Sequence, residues 1–127
     1  MLIYRFSKEF RGEVYKIDPA LAIPSSYSKR EFIVAKTPRT FFYLDPKDKE
    51  SMLGNFLYQA EIPEEFIYDL ISDDLCLKDK SKINDAIEFD KLFNLVMQNN
   101  FKGVYYRPSQ GKIVSLFVPI EAKWTNI

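Results

Sequence analysis

The sequence predicts an α+β domain, and three observations carry that prediction. Short segments rich in aromatic and β-branched residues recur along the chain, each bounded by Pro, Gly, Asn or Asp. One stretch, from about Ser81 or Lys82 to Asn99, has instead the three-or-four spacing of an amphipathic helix. Hydrophobic residues are 46% of the 127 and aromatics 16%, which is enough for one core and too much for a disordered chain.

Leu2 to Phe6 reads as the first strand, Arg11-Gly12 as a turn, and Glu13 to Ile17 as an extended piece that Asp18-Pro19 breaks. Between Ala20 and Arg30, Pro24, Tyr27 and several serines give no periodicity, so this region reads as a surface loop or a short helix. Glu31 to Ala35 is a candidate strand. Arg39 to Leu44 is another, an aromatic run between Pro38 and Asp45-Pro46, with Pro38 holding Thr37 extended. Lys47 to Leu53 fits two helical turns closed by Gly54, and Phe56 to Ile62 returns as a strand that Pro63 ends. Phe66 to Leu70 is a further extended piece.

In the helical stretch, Ala86, Phe89, Phe93, Val96 and Asn100 form one stripe that Leu92 widens. Asp85, Glu88, Asp90 and Lys91 mark the wet side, and Ser81 is positioned as its cap. Gly103 to Tyr106 and Ile113 to Phe117 then read as a hairpin around Pro108-Ser109-Gln110-Gly111. Apart from Ser115 and Pro119, the run from Ile113 to Ile120 is apolar on both faces, which places it centrally in a sheet.

Eighteen basic and eighteen acidic residues cancel, so no global field recruits nucleic acid or an anionic membrane. Locally the balance is uneven. Residues 45 to 74 carry nine acids against two lysines, while Arg5, Arg11, Lys29, Arg30 and Arg39 make the first third basic. Cys76 is the single cysteine, which rules out an intramolecular disulfide and a thiolate zinc site, and no metal is expected. The residues after Met1 reach charge at Arg5, and no apolar run approaches the roughly 20 residues that span a bilayer. A cytoplasmic location is expected.

Read in order, Ile3-Tyr4-Arg5-Phe6-Ser7, Ile17-Asp18-Pro19, Pro38 to Tyr43, Leu57 to Ala60, Ile67 to Leu70 and Phe101 to Tyr106 resemble the ADP-ribosyltransferase-like domains of phage and mobile-element polyvalent proteins. The match lies in order and spacing over nearly the whole chain. The resemblance implies one domain over residues 1–127, with a split antiparallel sheet, one long helix and short helical turns. It also implies NAD as co-substrate, held in a cleft between the halves of the sheet. In such domains a polar residue on the first strand contacts the nicotinamide ribose, an aromatic ring stacks on nicotinamide, and a Glu before a late strand orients the ribose. Catalysis there is mainly positioning and electrostatic stabilisation of an oxocarbenium-like ribose.

Carried over by position, the resemblance makes Arg5, Tyr43 and Gln110 the catalytic candidates, and Arg5, Arg39, Thr40 and Tyr43 the cofactor-binding ones. Arg5 stands where these domains often have His. Lys112, or Gln110 and Gly111 before it, stands where the Glu is expected, and Glu121 comes too late. Lysine cannot accept the ribose hydroxyl bond that a carboxylate accepts, whereas Gln110 can accept one without supplying charge. Lys112 or Gln110 is therefore expected to border one cleft with Arg5 and Tyr43, and Arg5 and Arg39 to face the NAD pyrophosphate together.

Two functions follow from the resemblance. One is a non-catalytic or weakly active domain acting as an intracellular binding or inhibitory module in phage or mobile-element conflict with a host, toward a protein partner that its acidic centre would meet. The other is an active NAD-dependent mono-ADP-ribosyltransferase that modifies a macromolecule. Simpler roles compete at single residues: Arg39 can snorkel, Glu64-Glu65 and Asp73-Asp74 point to opposite faces of extended chain as solvated charge, and Cys76 has no histidine to activate it. Trp124 either caps the last strand or is exposed for a partner.

Overall fold

The computed structural model describes residues 1–21, 35–46, 54–106 and 112–125. The expected loop over 22–30, the candidate strand up to Val34, the helical turns over 47–53 and the turn at 108–111 lie outside the described residues. In chain order the elements are β1 (Leu2–Ser7), β2 (Val14–Ile17), β3 (Thr40–Tyr43), β4 (Phe56–Glu61), a 3-10 turn (Glu64–Phe66), β5 (Ile67–Asp69) and α1 (Leu77–Lys80). They continue with β6 (Lys82–Ile83), β7 (Ala86–Ile87), α2 (Phe89–Gln98), β8 (Gly103–Tyr106), β9 (Ile113–Leu116) and β10 (Ile120–Thr125). The α+β class holds.

Eight of these strands form one sheet in the order β2-β10-β4-β1-β3-β9-β8-β5. Every pairing is antiparallel except β5 with β8. β1 and β4 are zipped along six residue pairs, from Leu2↔Glu61 to Ser7↔Phe56, and β3 and β9 along four. Between β1 and β3 the ladder shrinks to one pair, Tyr4↔Tyr43. The sheet is thus two four-stranded halves joined at a narrow seam.

Strand alternation sends Ile3, Phe42, Tyr58, Ala60, Val114, Leu116 and Ala122 to one face. There they join Ile17 from one edge strand and Ile67 from the other in a single core. The opposite face of the β3-β9-β8-β5 half lies under α2, where Leu92, Phe93 and Val96 pack with Tyr68, Leu70, Leu77, Val104 and Ala35. Gly103 lets β8 and β9 close up, since a Cβ at that position would run into the Ser115 carbonyl and the Leu116 side chain.

The structure corrects the helix. A single element from Ser81 to Asn99 does not form, because Asn84 and Asp85 take φ of 49° and 66°, the left-handed pair that a two-residue hairpin loop requires. Lys82–Ile83 and Ala86–Ile87 therefore pair as β6 and β7, and α2 begins only at Phe89. Ser81 is no cap of α2; its hydroxyl donates to the Leu77 and Lys78 carbonyls and closes α1. Phe89, expected in the buried stripe, is 37% exposed, and the stripe is Leu92, Phe93 and Val96. Asn100 at φ 69° ends the helix in the left-handed conformation usual just past a C-terminus.

The run from Ile113 to Ile120 is also divided. Its first four residues form β9, buried throughout between β3 and β8 as its two-sided apolarity required. The chain then leaves the sheet around Phe117 to Pro119 and re-enters the other half as β10. Among the described residues no helix is long and apolar enough to cross a membrane.

Candidate functional site

The seam between β1 and β3 is the candidate site, because there the sheet places a charged side chain on its inner face. Arg5 of β1 pairs with Tyr58 of β4, so it shares the side of Ile3 and Phe42. Its Nη1 donates to the Phe41 carbonyl across the seam at 3.0 Å, and its guanidinium carbon lies 6.0 Å from the centre of the Phe42 ring. Burial drives the Arg5 pKa below the ordinary arginine value, while the charge interaction and side-chain hydrogen bond with Tyr15 pull it back up.

Tyr15 comes from β2, at the far edge of its half in strand order. Its half-buried ring meets Tyr58 edge-on at 5.3 Å, and the Arg11 guanidinium carbon lies 5.9 Å from the centre of the Tyr15 ring. The Tyr58 hydroxyl holds the preceding loop by accepting from the Arg11 amide at 2.7 Å and donating to the Gly12 carbonyl at 2.8 Å. Gly12 itself sits at φ 88°. Above this loop Phe10 packs against Phe56 at 5.7 Å and Trp124 at 5.2 Å, so Trp124 both caps the rim and stays 40% exposed.

The remaining candidates divide between the two faces. Thr40 begins β3 on the same face as Phe42 and Leu116, fully buried, and its Oγ1 is a buried oxygen without a hydrogen-bond partner among the described residues. Tyr43 pairs with Tyr4, which puts it on the opposite face from Arg5, edge-on to Phe6 at 5.9 Å. Lys112 is exposed, and its carbonyl accepts from the Leu44 amide at 3.3 Å, which fixes it beside the end of β3. Arg5 and Tyr43 thus do not share one cleft with it. Gln110 lies outside the described residues.

Arg39 is not on the Arg5 side either. It is 4% exposed, donates to the Ala35 and Thr37 carbonyls, and rests between the rings of Phe41 at 5.3 Å and Phe93 at 5.2 Å. It packs against the underside of α2, with an aromatic sandwich for its charge. Asp90, in the first turn of α2, fixes the same segment: one carboxylate oxygen accepts from the Lys36 amide, the Thr37 amide and the Thr37 hydroxyl at 2.9, 2.8 and 2.6 Å. Arg5 and Arg39, expected to face one pyrophosphate together, lie instead on opposite sides of the sheet.

No protein-family model, curated protein or solved structure matches this chain.

The acidic surface is real in space as well as in sequence: Glu61, Glu64, Glu65, Asp69 and Asp74 are all exposed. Asp73 is the exception, because it is a structural acceptor. Its carboxylate takes hydrogen bonds from Tyr68 and from the Leu77 and Lys78 amides. Burial pushes the Asp73 pKa up, but those bonds outweigh it and hold the carboxyl below its ordinary value. The Tyr68 phenol is pushed up to about 12 by burial and by its bond to Asp73. Among the described residues no three acids, histidines or cysteines gather as a metal site, and Cys76 is free and exposed. A shallow trough of about 330 Å³ lies on the outer face of the first half, bordered by Leu2, Gln59, Glu61, Glu121, Lys123 and Thr125.

Sequence reasoning missed Tyr15, Tyr58 and Asp90. Tyr15 and Tyr58 are ordinary strand tyrosines until the strand pairing puts them on the face of Arg5, whereas Asp90 carries a usable signal as an acid in the first helical turn.

Proposed function

We propose that this chain is an ADP-ribosyltransferase-like domain with weak transferase activity or none, acting inside the cell as a binding or inhibitory module. The observation that carries the reading is the seam: among the described residues the two halves of the sheet share one ladder pair, Tyr4↔Tyr43, with Arg5 of the first strand lodged beside it. That arrangement agrees with a split sheet whose first strand presents a polar residue between the halves.

The same seam argues against efficient transfer. Arg5 is bonded to a backbone carbonyl, Tyr43 lies on the other face, and the residue just before β9 is a lysine. A lysine supplies none of the negative charge that would stabilise the positive ribose as nicotinamide departs. The exposed acids Glu61, Glu64, Glu65 and Asp74 offer a basic protein partner a surface at some distance from that chemistry.

Incubating the protein with labelled NAD and bacterial lysate tests the reading. The expected outcome is no transfer above a no-protein control, and Lys112→Glu raises it if only the missing carboxylate limits the reaction. Vigorous labelling by the wild type overturns the proposal in favour of an active mono-ADP-ribosyltransferase.

A further inference from the structure

We propose that the trough between β10 and β4 is a binding site for a small amino-carboxylate, a molecule with an ammonium group at one end and a carboxylate about 7 Å away. The inference is independent of the seam and of NAD.

The trough is a product of register. β10 pairs with β2 from Lys123↔Val14 to Ile120↔Ile17, and β4 pairs with β1 from Phe56↔Ser7 to Glu61↔Leu2. The ladder between β10 and β4 themselves runs only from Thr125↔Leu57 to Lys123↔Gln59. Beyond that last pair each strand follows its other neighbour, so the two part. The space of about 330 Å³ lies in this fork, with Gln59 and Glu61 on one wall and Glu121 and Lys123 on the other.

Alternation along the strands turns these four side chains, with Leu2 and Thr125, to the face away from the Arg5 side of the sheet. Lys123 and Gln59 stand where the fork closes. Glu61 and Glu121 stand two residues further along their separate strands, about 7 Å toward its open end. The trough is thus anionic at its mouth and cationic at its base. Among the described residues the side chains of Gln59, Glu61, Glu121 and Lys123 make no hydrogen bond or ion pair, the ion pairs being Arg11 with Glu9 and Lys82 with Asp79.

That pattern selects a ligand by charge. An ammonium carries three donors and no acceptor, so carboxylates on two walls can share it, while Lys123 takes a carboxylate and the Gln59 amide bonds either end. Leu2, 44% exposed on the flank, offers apolar surface to the methylenes between the two charges. A phosphate-bearing ligand would meet two carboxylates at the mouth. Because Glu61, Glu121 and Lys123 are all exposed, water screens each contact and the affinity should be millimolar.

The probe is ε-aminocaproate, titrated at low ionic strength into the ¹⁵N-labelled full chain. The expected result is saturable shifts at the amides of Gln59, Glu61, Glu121 and Lys123. Pentylamine lacks the carboxylate and caproate lacks the ammonium, and each should bind about tenfold more weakly, the equivalent of one hydrogen bond to a charged group. Lys123→Gln should bring ε-aminocaproate down to the level of pentylamine without weakening pentylamine, and Glu61→Gln with Glu121→Gln should bring it down to the level of caproate. The three positions are exposed, and the same spectrum shows that each variant is folded. An absence of saturable shifts at these amides up to about 50 mM overturns the site. So does equal binding of pentylamine, or a preference for ε-aminocaproate that survives Lys123→Gln.

Discussion

Replacing Asp90 by Ala should cost about 3 kcal/mol of folding stability. The figure comes from the two Thr37 bonds to its Oδ1, at 2.8 and 2.6 Å, each taken at the low end of about 1.5–3 kcal/mol for a bond to a charged group. The Lys36 amide bond at 2.9 Å is left out, because Lys36 is exposed and water replaces that acceptor. Asp90→Asn keeps an acceptor oxygen without its charge and should lose about half as much. The damage should spread locally, since the clamped segment supplies the Ala35 and Thr37 carbonyls that receive Arg39.

Urea unfolding of the wild type and both variants gives the comparison, with unchanged m values showing that the denatured state is the same. Burial raises the Asp90 pKa, but the bonds from Thr37 and Lys36 and the charge of Arg39 outweigh it and hold the carboxyl below its ordinary value. Its stabilisation is therefore present above the unfolded-state pKa and is lost as pH falls through the lower folded one. The gap between wild type and Asp90→Asn should stay constant above about pH 5 and close at lower pH. A loss below about 0.5 kcal/mol for Asp90→Ala, or a gap indifferent to acid, would refute the clamp.

Phe93→Ala should cost about 3–5 kcal/mol in the same assay, since the ring is buried against Phe117 and the Arg39 guanidinium, whereas the exposed Phe89→Ala should cost much less. Equal losses at the two positions would mean that the face of α2 is misassigned. Gly103→Ala should destabilise by several kcal/mol or prevent folding, because the new methyl meets the Ser115 carbonyl and cannot be relieved by a rotamer change, and a neutral result would contradict the close approach of β8 to β9. Tyr68→Phe should cost about 1–3 kcal/mol by stripping a donor from Asp73 and an acceptor from the Leu75 amide. The stabilisation that Tyr68 supplies should be complete below the ordinary tyrosine pKa and fall only as pH rises toward about 12, which alkaline unfolding of wild type and variant would reveal.

The strands were legible where local chemistry alone decides them. Aromatic runs ended by proline mark β3 and β4, and the two-sided apolarity of Ile113 to Leu116 reads correctly as an interior strand. The helical period extends too far because Ala86 and Phe89 match it, while Asn84-Asp85, two residues that tolerate the left-handed conformation but lack the glycine of the strong loop signal, sit inside the pattern. The candidate site was less legible, for a reason of register. Arg39 and Phe41 share a face by simple alternation, but that Arg5 lies on the opposite one depends on Tyr4↔Tyr43, a pairing across 39 positions that local sequence does not encode. The meeting of Tyr15 with Tyr58 depends likewise on the pairing of β2 with β10 and of β10 with β4.

The most direct measurement of the central claim is a titration of the ¹⁵N-labelled wild type with NAD, followed at the amides of Arg5, Phe42 and Tyr43 and accompanied by an assay of released nicotinamide. The expected result is no saturable shift at those amides at millimolar NAD and no nicotinamide above the uncatalysed rate. Saturable shifts that vanish in Arg5→Ala, together with steady nicotinamide release, would contradict it.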